Sequence, residues 1–281
     1  MDYIHHFEND NEFAKHIATK YRVPFVSQTE LGGNEYRINY NLTEEEMRES
    51  FKSQYLTFKI TSPGSIKWVK SRDSTIAART VEYSKNGGAW TQFTSSTTGT
   101  SLSVATGDIV YFRGNNDAYG NGNITDSCGA TFSSTTCSFK VYGNVMSLIN
   151  STDFKDLSAV TYYAFDGLFT KCTGLTDASN LILPTNLKYY SCGYMFSYCT
   201  NLVKGPVIMD TIFNGSDNSG FVGLFSACPN INYIKCLLTN TQHCGSWLYS
   251  SSQTGTFVKK AGVEWPRTTS GIPEGWTIIE V

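Results

Sequence analysis

The chain has little charge and no long apolar run. Lys, Arg, Asp and Glu make up 16% of its 281 residues, against about 25% in an ordinary soluble domain. The net charge is −2, which argues against a broad electrostatic footprint for nucleic acid or an acidic membrane surface. No stretch approaches the ~18 consecutive apolar residues of a membrane-crossing helix, so none is expected. Met1-Asp2-Tyr3-Ile4-His5-His6-Phe7-Glu8 lacks the basic and apolar regions of a secretory signal. The product is therefore expected to start in the cytoplasm of the cell that makes it and to be released by lysis or by assembly into a particle.

Motifs for catalysis and metal binding are also scarce. There is no Gly-x-Ser-x-Gly elbow, no phosphate-cradling loop and no HExxH. Of the four histidines, His5, His6 and His16 fall in a charged leader, where solvated or interface roles are expected. His243 stands beside Cys244, with Cys236 upstream, but no CxxC accompanies them, so no zinc site is expected. The oxygen-rich stretch from Asn115 to Asp126 lacks the alternating carboxylates and terminal Glu of an EF-hand; an Asn/Gly turn cluster is favoured over calcium. Asp153, Asp156, Asp166 and Asp177 are the carboxylates near the repeats described below. Solvated turn or cap positions explain them better than a glycosidase pair. The expectation is a chain with no enzymatic activity, no metal and no cofactor.

Ser, Thr, Asn, Gly and Tyr take the place of charge. That mixture suits a hydroxyl-covered extracellular or virion exterior, and equally a fold of short strands and many turns. Residues 1–50 differ, with 15 charges, ten of them acidic. There a helix over Phe13, Ile17 and Tyr21 ends at Pro24, and a hairpin joins Phe25–Gln28 to Tyr36–Asn39 around Gly32-Gly33. A polar helix then starts from the capping box Thr43-Glu44-Glu45-Glu46 and runs to about Lys52. This segment, 1–53, is too small to hold its own core and reads as an anchor.

Residues 54–146 alternate in the manner of half-buried strands, as in Leu56-Thr57-Phe58-Lys59-Ile60 and Thr80-Val81-Glu82-Tyr83-Ser84. Lys85-Asn86-Gly87-Gly88 is a hairpin turn. About seven short strands predict a β-sandwich of immunoglobulin-like type, without the Cys…Trp…Cys spacing of a true immunoglobulin domain.

Residues 147–238 hold a repeat. Gly167-Leu168-Phe169-Thr170-Lys171-Cys172, Tyr194-Met195-Phe196-Ser197-Tyr198-Cys199 and Gly223-Leu224-Phe225-Ser226-Ala227-Cys228 place phenylalanines 27 and 29 residues apart, each followed at three by a cysteine. Such a period means units that bury their apolar faces only by stacking. Each turn-rich segment is paired with an apolar run: Leu181-Ile182-Leu183, Val207-Ile208-Met209 and Ile234-Lys235-Cys236-Leu237-Leu238. From Leu157 to Thr256 only eight of 100 residues are Asp, Glu, Lys or Arg. Equivalent positions align, so Cys172, Cys199 and Cys228 are expected as a ladder of buried free thiols. Cys128 and Cys137 flank a Ser/Thr-rich turn, and the sequence leaves a local disulfide between them open. Residues 239–281, with Trp247, Phe257, Trp265 and Trp276, are expected to cap the stack.

Met195-Phe196-Ser197-Tyr198-Cys199-Thr200-Asn201-Leu202 and Asn232-Tyr233-Ile234-Lys235-Cys236-Leu237 resemble the units of BspA-like leucine-rich-repeat proteins of gut anaerobes and of their phages, crAss-like phages included. The tail, with Gly255-Thr256-Phe257-Val258-Lys259 and Gly271-Ile272-Pro273-Glu274-Gly275-Trp276-Thr277, resembles the closing module of the same proteins. Ile76–Ser84 and Val110–Asn116 resemble the β-domain that precedes the repeats. Tyr21-Arg22-Val23-Pro24-Phe25-Val26-Ser27 is similar to a leader of the phage versions. The resemblance implies a mainly β chain: a small α/β anchor, an immunoglobulin-like sandwich, a short leucine-rich-repeat-like solenoid and a cap. It implies a virion fibre or decoration protein on the virion surface, held to other virion proteins through residues 1–53, as a homo-oligomer, a trimer by analogy. A bacterial cell-surface adhesin is the alternative. Host-surface glycan or protein is the implied target. Tyr162, Tyr163, Tyr189, Tyr190, Tyr194 and Tyr198 stand near the repeats, where a tyrosine either packs inside the stack or offers an aromatic plane with a hydroxyl to a sugar or a protein.

Overall fold

The computed structural model describes residues 2–5, 36–39, 44–71, 77–120, 129–214, 219–268 and 270–281. The chain is mainly β with few helices and divides into two compact units, Met1–Ser50 and Phe51–Val281. In the first, β1 (Asp2–His5) pairs antiparallel with β2 (Tyr36–Asn39). The strand at Tyr36–Asn39 is where the sequence puts it, but its partner among the described residues is the chain start. Phe25–Gln28 and the helix over Phe13, Ile17 and Tyr21 lie outside the described residues. α1 (Glu44–Lys52) matches the helix expected after the capping box.

The second unit begins with eight strands in two sheets. They are β3 (Leu56–Ser62), β4 (Gly64–Lys70), β5 (Thr80–Lys85), β6 (Thr91–Thr94), β7 (Thr100–Val104), β8 (Ile109–Gly114), β9 (Ala130–Ser133) and β10 (Ser138–Asn144). One sheet has the order β10-β3-β8-β5-β6 and the other β7-β4-β9. Asn86 and Gly87 turn the β5–β6 hairpin with φ of 53° and 73°, the left-handed pair a tight hairpin demands. Strand alternation sends Phe58, Trp68, Phe112 and Phe132 inward, all fully buried. Phe58 binds the layers together, its ring 4.7 Å from Phe112, 5.0 Å from Phe132 and 4.6 Å from Phe139.

The architecture changes on β10. It is antiparallel to β3 on one side and parallel to β11 (Leu175–Ile182) on the other. A parallel pair needs a long crossover, and residues 145–174 supply it as the first of several stacked coils. β12 (Asn186–Leu187) and β13 (Ile212–Phe213), parallel to each other, form one side of the coils. A second side is a parallel ladder. The bridges Asp177 to Lys204 and Lys204 to Tyr233 carry it from β11 to β14 (Tyr233–Cys236), and it continues through β15 (Gly255–Lys259) to β16 (Trp276–Glu280). β16 is the terminal strand, and Ile278 and Ile279 are exposed along it.

The third side is made of turns, and its hydrogen bonds alternate. Phe165, Gly167, Phe169 and Lys171 donate their amides to the next coil, at the carbonyls of Ser191, Gly193, Met195 and Ser197. Between them, Asp166, Leu168, Thr170 and Cys172 donate three residues back along their own coil. The same weave recurs from Phe196 to Leu224 and from Phe225 to Trp247. Backbone amides of the weave thereby find partners without a helix or a long strand, which burial requires. Phe169, Phe196 and Phe225 form a stacked column at 5.5 and 5.6 Å, and Phe132 of β9 extends it into the two-sheet region at 5.8 Å from Phe169.

Candidate functional site

The weave sets a left-handed residue at every fourth position of the turn side: Tyr163, Gly167 and Lys171, then Tyr190, Tyr194 and Tyr198, then Gly223 and Ala227, then Ser246 and Ser250. Glycine adopts this conformation freely, whereas an L side chain there costs about 1–2 kcal/mol. Tyr194 holds the place of Gly167 in the coil before it and of Gly223 in the coil after. A bulky ring is kept where the backbone favours none.

Four of the six tyrosines form one continuous aromatic patch across two coils. Tyr163 meets Tyr189 edge-on at 5.7 Å and Tyr190 at 5.9 Å; Tyr189 and Tyr190 are 4.4 Å apart; Tyr190 reaches Tyr194 at 6.1 Å. All four are half-buried. Tyr162 is exposed and lies under the Lys188 ammonium, 5.4 Å from the ring centre. Tyr198 is exposed and has no ring contact with the other five among the described residues. The tyrosines are therefore both things the sequence left open: partly packed along one edge, with open rings along the other.

Two neighbours of the patch carry no sequence signal. Gly223 lies under Tyr194, where a Cβ would sit 2.3 Å from the ring. Asp166 is fully buried, with a carboxylate oxygen 3.2 Å from where a Cβ on Gly193 would be. This corrects the expectation of a solvated turn for Asp166. Burial first, then Tyr194, Tyr189 and the Asp166 carboxylate, push the Tyr190 phenol up to about 12. Its hydroxyl stays protonated and able to donate at any physiological pH.

The remaining candidates fall elsewhere. Asp177 stands on the strand ladder, 3.7 Å from Lys140 and accepting from Ser179; Asp153 and Asp156 are exposed on a different segment. Asp166 and Asp177 occupy different sides of the coil. His243 is buried and stacked on Phe213, with its basicity lowered by burial. No cluster of three or more metal-ligating side chains occurs among the described residues. Asn115 accepts from the Ser151 amide and Asn116 donates to the Thr80 carbonyl, so the start of the oxygen-rich loop is tied into the frame; residues 121–126 lie outside the described ones. Cys137 is a free thiol that exchanges a 3.0 Å hydrogen bond with Ser134, and Cys128 lies outside the described residues. Cys172, Cys199 and Cys228 are free and buried; Cys199 and Cys228 donate to the carbonyls of Phe169 and Phe196, each at 3.0 Å. No helix among the described residues is long and apolar enough to cross a membrane. No family model, no curated protein and no solved structure matches this chain.

Proposed function

We propose that this chain is a non-enzymatic contact protein displayed on a surface. In its most specific form it is a phage virion fibre or decoration protein, built as an immunoglobulin-like sandwich carrying a leucine-rich-repeat-like solenoid. Residues 1–53 attach it to other virion proteins, and a homotrimer is the assembly that the resemblance implies. The turn side of the coils meets a host-surface glycan or protein. One observation carries this reading: Tyr163, Tyr190, Tyr194 and Tyr198 all occupy left-handed backbone positions, and Tyr194 does so where the coils on either side place Gly167 and Gly223. Strained residues persist where the fold over-determines them, and they gather at binding sites. An aromatic face with protonated hydroxyls offers both a stacking plane and hydrogen bonds, the combination a sugar ring uses.

Two measurements test it. Gold-labelled antibody to residues 54–146 should decorate purified virions; label on bacterial cells instead favours the adhesin reading, and no label on either removes both. Purified protein should bind host cells, and Tyr189→Ala/Tyr190→Ala should lower that binding roughly tenfold, as expected for truncated aromatic anchors. Unchanged binding by the folded double variant would take the contact away from this face.

A further inference from the structure

The outer face of the strand ladder carries a row of side chains in direct register across six strands and the bridging residue Lys204. Lys59 of β3 is opposite Lys140 of β10, which is opposite Asp177 of β11. Asp177 bridges to Lys204, Lys204 to Tyr233 of β14, Tyr233 pairs with Thr256 of β15, and Thr256 with Thr277 of β16. Three lysines and one aspartate thus occupy one end of a straight line, and hydroxyl groups the other.

Among the described residues, the charge on this row is not neutralised. Lys140 reaches Asp177 at 3.7 Å, and Lys204 lies 6.0 Å from the Tyr233 ring centre. That leaves one carboxylate among three ammonium groups, in a chain whose net charge is −2. Lys59 and Lys140 face each other directly, an arrangement that destabilises a sheet. Burial, and then Lys140, hold Lys59 below its ordinary basicity. Lys140 and Lys204 are exposed. Adjacent strands lie about 4.8 Å apart, so the positive charges recur every ~5 to 10 Å along a line perpendicular to the strands.

We infer that this row is a binding site for a linear acidic polysaccharide lying across the strands, with its carboxylates against Lys59, Lys140 and Lys204 and its hydroxyls toward Tyr233, Thr256 and Thr277. Charge complementarity selects a polyanion. The continuation of the row in hydroxyl-bearing residues, with Tyr233 its single ring, favours a sugar chain over single-stranded nucleic acid, which binds on successive stacking platforms. The site lies on the strand side of the coils, apart from the tyrosine patch on the turn side.

The test uses the full chain, with polygalacturonate as the acidic probe, neutral dextran as its uncharged counterpart and oligothymidylate as the nucleic-acid competitor. Binding to polygalacturonate is expected at low ionic strength and should fade as salt screens it, with none to dextran. Lys140→Gln/Lys204→Gln should weaken it roughly tenfold, and Asp177→Asn should tighten it about threefold, since exposed charges contribute modestly one at a time. Tyr189→Ala/Tyr190→Ala should leave it unchanged, so the fate of this site is read separately from that of the tyrosine face. No polygalacturonate binding overturns the proposal. So does equal affinity for oligothymidylate, or affinity that follows the tyrosines and ignores the lysines and Asp177.

Discussion

The rings of Phe169 and Phe196 lie parallel, 5.5 Å between centroids and 5° between planes, although 27 residues separate them in the chain. Phe225 repeats the relation to Phe196 at 5.6 Å and 15°. Phe196, between two rings and fully buried, is therefore the centre of the column. Phe196→Ala should destabilise the second unit by about 3–5 kcal/mol, the usual cost of emptying a packed aromatic site. Phe196→Leu should cost less, because the leucine refills part of the volume. Urea denaturation followed by tryptophan fluorescence checks it; a loss under about 1 kcal/mol for the alanine variant would show that the column does not hold the coils together.

Tyr194 and Gly223 should behave as one unit. Gly223→Ala introduces a side chain at φ +59°, with its Cβ 2.3 Å from the Tyr194 ring. The backbone part alone costs about 1–2 kcal/mol, and the clash adds to it. Tyr194→Gly should be near neutral, losing ring contacts while relieving its own left-handed strain at φ 48°. In that background Gly223→Ala should retain only the backbone part. A double-mutant cycle on unfolding midpoints measures the coupling, and strict additivity would mean the ring moves aside without penalty.

The thiols should make the protein alkali-sensitive. Burial pushes Cys172, Cys228 and Cys236 up to about 12, with backbone hydrogen bonds offsetting part of the rise; Cys199 and Cys244 are also raised well above the ordinary 9.0. A thiol held protonated by folding stabilises fully below its unfolded value of 9.0, and that stability is lost as pH climbs toward 12. Unfolding free energy should fall beyond about pH 9, above the range in which the histidines titrate. Cys199→Ala should shallow that fall. At neutral pH these five thiols should resist a thiol reagent until denaturant is added. Rapid native-state labelling of Cys199 would contradict its burial.

Ser251 occupies the cysteine position of a fourth coil. Its amide donates three residues back to Leu248, as the Cys172 amide does to Phe169 and the Cys199 amide to Phe196. The Ser251 hydroxyl is buried and has no hydrogen-bond partner among the described residues. Such a group costs about 1–3 kcal/mol, so Ser251→Ala should raise stability by about 1 kcal/mol. A melting temperature that falls instead would point to a bond made by the hydroxyl.

The visible signals were local ones. Alternation marked β3 and β5, Asn86-Gly87 marked a hairpin, and Phe-x-x-Cys marked three coils, because each depends on side chains a few residues apart. The fourth coil was missed since Leu248 and Ser251 replace Phe and Cys there, leaving the backbone weave intact without its signature residues. The tyrosines were found as residue types near a repeat. Which of them touch was not legible, and Tyr162 and Tyr163, adjacent in sequence, separate into a lysine-covered ring and a patch member. Asp166 read as a turn residue and is buried, since no local pattern tells which turn faces inward. The lysine row had no signature at all: Lys59, Lys140 and Lys204 lie in separate segments, and the small net charge hid them.

By itself the sequence determined a period, the inward identity of its phenylalanines and cysteines, and a β-rich chain with little charge, since apolar spacing decides which residues leave water. The tertiary structure alone decided which residues become neighbours across coils. That register follows from loop lengths and from the requirement that every buried amide find a carbonyl, and neither condition is written in any short stretch of chain. Hence the ladder that begins on β10, the rings gathered around Tyr190 and the line from Lys59 to Thr277 exist only once the chain has wound upon itself.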